Sequence, residues 1–176
     1  MSYVLTAYLV DLGDLKSVFG SKDQSMIRAI EPVIEETYDD DQDEADAQRA
    51  AVQALVMGEA LDPGKAAQYQ CALWDICREK GEELLPDAWG GIRWDSVEAC
   101  GLEELLTKTG PPVPLPPHQD IPFVGHVRHE NIAQYIEAAE DQKAKADPNV
   151  GDLLDEYIGW LEMAQSKNRD IVFFYG

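Results

Sequence analysis

The sequence predicts an α+β fold: a small mixed β-sheet containing both terminal strands, packed by about five to seven helices. Three observations carry this expectation. Residues Tyr3 to Val10 are rich in β-branched and aromatic side chains and apolar on both alternate faces. Ile171-Val172-Phe173-Phe174-Tyr175 is an unbroken apolar run that stops at Gly176. Strands apolar on both faces suit a sheet covered on both sides, so these two are expected side by side in its interior. Between them the apolar spacing is mostly helical.

Asp11 is placed to N-cap a first helix carrying Leu12, Leu15, Val18 and Phe19, with Gly20 as its stop. Ser21 followed by Gln24 has the capping-box spacing and opens a helix with Met26, Ile27 and Ile30; Pro32 either ends that helix or begins a further turn. Residues 35–46 hold eight acids and no base, which predicts a solvated loop leading into the next helix. Its later acids would lie at a helix N-terminus, where the macrodipole favours them. The helix that follows shows a small-residue face of Ala47, Ala50, Ala51, Ala54 and Leu55. Asp62-Pro63 is an N-cap with proline at the first helical position, opening a helix with Ala66, Tyr69, Leu73, Ile76 and Cys77 on one side and Gly81 as its stop.

From Glu82 to Gln119 glycine and proline dominate, with one short helix expected around Glu103 to Lys108. This stretch, about residues 82–120, reads as an irregular wrap within a single domain spanning 1–176. Ile121 to Val127 is a candidate strand, Ile132, Tyr135, Ile136 and Ala139 resume helical spacing, and Asp147-Pro148 marks a turn and restart. Leu153, Leu154, Tyr157, Ile158, Leu161 and Ala164 then form the clearest amphipathic stripe in the chain.

Charge is the anomaly. Fourteen Lys and Arg against 34 Asp and Glu give a formal net charge of −20. Such an excess repels nucleic acid and anionic lipid, so neither is an expected partner. No apolar run is long enough to cross a bilayer, and Met1-Ser2-Tyr3-Val4-Leu5 lacks the features of a signal peptide. Three cysteines, Cys71, Cys77 and Cys100, read as reduced structural thiols in a cytoplasm.

Signatures of chemistry are sparse. His118, His126 and His129 fall within twelve residues, with Asp120 and Glu130 nearby, a residue set that suits zinc or another divalent metal. Their spacing does not place the rings on one helix face, and surface histidines flanking a helix start are the plainer reading. No nucleophile elbow and no phosphate-binding glycine loop is present, and no cofactor is expected. Asp75 and Glu79 are four apart on a helix, as many solvated pairs are. The run Lys108 to Pro114 contains P-x-x-P, better read as a strap over the core than as a ligand. Trp74, Trp89, Trp94 and Trp160 read as core and cover residues.

The acidic segment offers the sharper function. Asp39, Asp40, Asp41, Asp43 and Glu44 could dock a basic protein surface, where complementary charge speeds encounter and rejects wrong partners. The preferred expectation is a non-enzymatic interaction module of immunity or inhibitor type. Its alternative is a metal-dependent or small-molecule-binding enzyme built on the three histidines.

Several patches resemble the YfbM-like bacterial proteins: Tyr3 to Val10 with the following Leu12-x-x-Leu15, Leu73-Trp74-Asp75-Ile76, Val124-Gly125-His126-Val127 leading into Glu130-Asn131-Ile132, and the closing helix with Tyr157 and Leu161 before Ile171 to Gly176. The acidic stretch and the proline strap Pro111 to Pro117 depart from that family's pattern. The resemblance implies a compact α+β bacterial protein and supplies no functional residues.

Overall fold

A computed structural model describes residues 5–84, 94–99, 101–118, 122–146 and 151–176, without the side chains at 94–96 and 107. Four strands, β1 (Leu5–Val10), β2 (Glu82–Leu84), β3 (Phe123–Val127) and β4 (Asp170–Tyr175), form one sheet in the order β2-β1-β4-β3. β1 and β4 are its central pair, in register from Leu5 opposite Tyr175 to Val10 opposite Asp170. Every residue of both strands is buried, as their two apolar faces require.

The sheet is antiparallel throughout among the described residues, not mixed. The connections explain this. β3 and β4 are joined through α7 (Ile132–Lys143) and α8 (Gly151–Ser166), which pack on each other. An out-and-back pair of helices returns the chain to the end of the sheet it left, so Val127 pairs with Ile171. On the other side α1 (Leu12–Val18), α2 (Gln24–Thr37), α3 (Gln42–Met57) and α4 (Ala66–Lys80) return it to Glu82, opposite Leu9.

The strand alternation sorts two cores, one on each face of the sheet. Tyr8, Val10, Val172, Phe174 and Val124 pack with the inner faces of α1 to α4. Leu5, Ala7, Leu9, Ile171, Phe173 and Tyr175 pack with α7, α8 and the short helices α5 (Trp94–Ala99) and α6 (Leu102–Thr107). The result is three layers, helices–sheet–helices, with eight α-helices among the described residues, one more than the expected upper count. The extra elements lie in the segment expected to be mostly irregular: α6 is the helix anticipated there, whereas α5 and β2 were not foreseen.

Local signals worked where a side chain caps a backbone group. Asp11 accepts from the Asp14 amide at 2.9 Å and Asp62 from the Gly64 amide at 2.9 Å, each filling an orphan donor at a helix start. Asp23, not Ser21, caps α2, through the Ser25 amide at 2.8 Å. α2 continues past Pro32 to Thr37, so only residues 38–41 of the acidic stretch lie between helices. Of the expected face of α3, Ala51, Ala54 and Leu55 are buried while Ala47 and Ala50 are exposed; Ala45, Gln48, Val52 and Val56 complete the inner face, which is rotated slightly from the alanines. Alanine buries too little area to decide which way a helix turns; Val52, Leu55 and Val56 decide it. Gly58 ends α3 in the left-handed region at φ 71°, and a Cβ there would stand 2.9 Å from Gly20 Cα, so the ends of α1 and α3 meet through two glycines.

Both sheet edges are blunted, as exposed strands require. β2 has three residues, two of them glutamates. On the outer edge of β3 the Thr109 hydroxyl takes the place of a neighbour strand, accepting from the His126 amide at 2.9 Å and donating to the His126 carbonyl at 2.5 Å. The strap behind it is seated on the core: Pro112 and Val113 are buried, and Val113 and Leu115 face Phe19, Leu55 and Leu61.

Candidate functional site

The acidic corner between α2 and α3 is built from local chemistry. Asp41 is the N-cap of α3 and accepts from the Glu44 amide at 3.0 Å, and Asp43 and Glu44 occupy the first turn, beside the positive end of the helix dipole. Asp39, Asp40, Asp41, Asp43 and Glu44 are all exposed. Arg49 spans the two helices behind them, from Glu31 at 2.5 Å to Asp46 at 2.8 Å. Among the described residues no cation pairs with any of the five corner acids.

Directly beside that corner lies a cavity of about 350 Å³. Tyr38, the C-cap of α2, forms one wall, and Trp74, Asp75, Cys71 and Arg78 of α4 form another. Tyr8 of β1 and Glu83 of β2 complete it. The indole N–H of Trp74 donates to the Tyr8 hydroxyl at 3.1 Å, which donates to Glu83 Oε1 at 3.3 Å. Trp74 is stacked on Phe174 with ring centroids 5.1 Å apart, fixing the wall to the sheet. Asp75 accepts from Gln48 Nε2 at 2.6 Å.

Burial dominates the titration of this cavity. It pushes the Asp75 carboxyl up to about 6, against smaller lowering effects of the Gln48 hydrogen bond and the Arg78 charge. Burial likewise raises the Tyr8 and Tyr38 phenols to about 12 and the Cys71 thiol to about 11. The direction for Asp75 has a consequence for stability. A carboxyl whose folded pKa lies above its unfolded value stabilises the fold below about pH 4, and that contribution is lost as pH rises through about 6. Asp75→Asn is therefore expected to raise stability at pH 7.5 by about 1–3 kcal/mol and to leave it unchanged near pH 4. Thermal unfolding of both proteins at the two pH values checks this.

The histidines are placed separately. His118 is half-buried at the end of the proline strap. His126 lies on edge strand β3 with Nδ1 2.8 Å from the Gly110 carbonyl oxygen, and burial holds its ring below the usual imidazole range. His129 opens the short 3-10 turn His129–Asn131, with Nδ1 3.1 Å from Asp170 Oδ1. Among the described residues no three His, Cys, Asp or Glu side chains are gathered to hold a metal ion; Asp120 lies outside those residues.

Asp170, which no sequence signal singled out, joins three parts of the fold. Its Oδ2 accepts from the Leu12 amide at 2.9 Å, and its Oδ1 accepts from the His129 amide at 2.8 Å. Both amides are first-turn donors that their own helices cannot satisfy. A polar cavity of about 310 Å³ opens beside this junction, bounded also by Lys16 and Arg128.

The other singled-out residues are structural where they are described. Cys77 is buried, and burial raises its thiol pKa as it does that of half-buried Cys71, so both stay protonated near neutrality. Trp160 is buried against Phe173 with ring centroids 6.5 Å apart. Cys100, Trp89 and the Trp94 side chain lie outside the described residues. No described helix is long and apolar enough to cross a membrane.

No curated protein and no solved structure matches the chain. A family model described as a domain of unknown function, DUF7691, matches residues 1–176, and on that full-length match the chain belongs to the DUF7691 family.

Proposed function

We propose that this protein is a non-enzymatic cytoplasmic interaction module, of immunity or inhibitor type, that docks a basic protein through the corner between α2 and α3. One observation carries the reading: five exposed acids, none paired with a cation among the described residues, are gathered on the turn between α2 and α3 and the first turn of α3, in a molecule with net charge −20. Charges gathered in this way repel one another until a cationic surface arrives. The free energy recovered then favours basic partners and speeds their encounter. Nucleic acid and anionic membrane are disfavoured as partners by the same field. Kinship with the YfbM-like bacterial proteins is a proposal on its own footing and supplies this reading with no residue.

Capture from the native cell tests it, using the tagged chain and a variant carrying Asp39→Asn, Asp40→Asn, Asp41→Asn, Asp43→Asn and Glu44→Gln. Asparagine at 41 preserves the N-cap, so folding should survive. A basic protein is expected to bind the wild type at about 50 mM salt and to weaken at least tenfold at about 500 mM or with the variant. A partner indifferent to both salt and neutralisation overturns the reading.

A further inference from the structure

The cavity beside the acidic corner brings together aromatic and carboxylate side chains from α2, α4, β1 and β2. It is walled by the half-buried rings of Trp74 and Tyr38 and by the buried Tyr8, together with two carboxylates that approach from different elements: Asp75 from α4 and Glu83 from β2. The Asp75 carboxylate is half-buried, and among the described residues its hydrogen bond comes from the neutral amide of Gln48. Arg78 also lines the cavity, but it is exposed and makes no ion pair with Asp75 or Glu83. A partly desolvated carboxylate without a cation in contact is a costly arrangement, and a cationic guest would relieve it. Trp74 and Tyr8 are locked together by their hydrogen bond, and Trp74 is backed by Phe174, so the wall is set before any ligand arrives.

We propose that this cavity receives the side chain of an arginine presented by the basic partner. The inference rests on the docking reading above and names the contact that would give it specificity. A guanidinium is planar and weakly hydrated, so it can lie on the faces of aromatic rings while its N–H fork reaches a carboxylate. The cavity offers both surfaces, and Tyr38 forms part of it immediately before Asp39, at the start of the acidic corner. The more strongly hydrated ammonium of lysine is the poorer guest. Arg78 makes no ion pair with either carboxylate, but its charge acts on Asp75 and disfavours a second cation there.

The probe is N-acetyl-L-arginine methylamide, titrated into the full chain and followed by backbone and indole N–H chemical shifts, with the uncharged isostere N-acetyl-L-citrulline methylamide as control. At pH 7.5 the arginine probe is expected to saturate with a Kd of about 1 mM, shifting the Trp74 indole. The citrulline probe and the Asp75→Asn variant should each bind at least about tenfold more weakly, the loss of one charged contact. Arg78→Ala should tighten binding. Protonating Asp75 should weaken binding about tenfold at pH 5; Glu83, Arg78, Tyr8, Tyr38 and Cys71 are the other titratable groups lining the cavity, with Glu44 close enough to act on Tyr38 and Cys71, and Glu83→Gln should leave that pH dependence in place. Equal binding of the two probes, or unchanged binding in Asp75→Asn, overturns the proposal. The two readings fail separately. If the corner-neutralised variant loses its partner but the arginine probe never binds wild type, the cavity proposal falls and docking stands. If the probe binds the cavity while partner capture ignores the corner acids, the docking reading falls.

Discussion

Gly125→Ala is expected to destabilise the protein by about 3 kcal/mol or more, at the upper end of what overpacking costs. A Cβ on this β3 residue would lie 1.5 Å from the Leu106 carbonyl oxygen and 2.7 Å from its carbonyl carbon. Both are backbone atoms, so no change of rotamer relieves the clash, and α6 must lift from the sheet. Lifting it exposes Leu102 and Leu106, which are buried, at about 1.5–3 kcal/mol for each side chain fully exposed. Urea unfolding measures the loss, and a detached α6 should also lower the m value, because less surface remains to be exposed. Gly159→Ala is the control. Its Cβ would meet nothing within 4 Å, inside helix α8, so alanine there should be neutral or stabilising by up to about 1 kcal/mol. A Gly125→Ala protein as stable as wild type would mean that α6 does not rest on this strand.

Asp170→Ala should cost about 3–4 kcal/mol, from two amides and an imidazole that share one carboxylate. Removing it leaves the Leu12 amide at the start of α1 buried without this acceptor, and unties the 3-10 turn that follows β3. Burial by itself would raise the pKa of this carboxyl, but the amides of His129 and Leu12 outweigh it and hold the group below its ordinary range. For a depressed folded pKa the stabilising contribution is present above the unfolded value and disappears as pH falls through the folded one. Wild type should therefore lose part of its stability on acidification below about pH 4, and Asp170→Ala should lack that component. Denaturant unfolding of both proteins at pH 7 and pH 3 separates the two. Equal stabilities at pH 7 would remove Asp170 from the framework.

What could be read from the chain divides by range. β1 and β4 were readable because burial on both faces leaves no polar position in the run from Ile171 to Phe174 or from Leu9 to Val10. The amphipathic stripe of α8 and the caps at Asp11 and Asp62 were readable because their partners lie within one or two turns. β2 was not: Glu82-Glu83-Leu84 has no apolar face of its own and becomes a strand only by pairing with Ala7 to Leu9. The antiparallel sense of the sheet depends on how many helices lie between strands and on which way they lead, and no local pattern states that. At the candidate site the acidic corner was visible as a charge run, whereas the cavity beside it was missed. Asp75 looked like one member of a solvated pair with Glu79, although its place between Trp74 and Ile76, inside the apolar stretch Cys71 to Cys77, was the available signal. Its hydrogen-bond partner Gln48 lies 27 positions away, and Tyr8 and Glu83, which share the cavity with it, lie 67 and 8 positions away along the sequence. Asp170 was missed for the same reason, since its backbone partners lie 158 and 41 positions back.

The central pairing of Leu5 with Tyr175 has a kinetic consequence. The two strands that hold the sheet together are the first and last of its four, so the loop that closes between them is nearly as long as the described chain. Neither β2 nor β3 touches the other, and neither can be joined to the far side of the sheet until this longest loop has closed. Such topologies fold slowly for their size. On a ribosome, the helices of the first half and β2 would emerge first, and the side of β1 that Tyr8 and Val10 share with Val172 and Phe174 would stay incomplete until β4 was released.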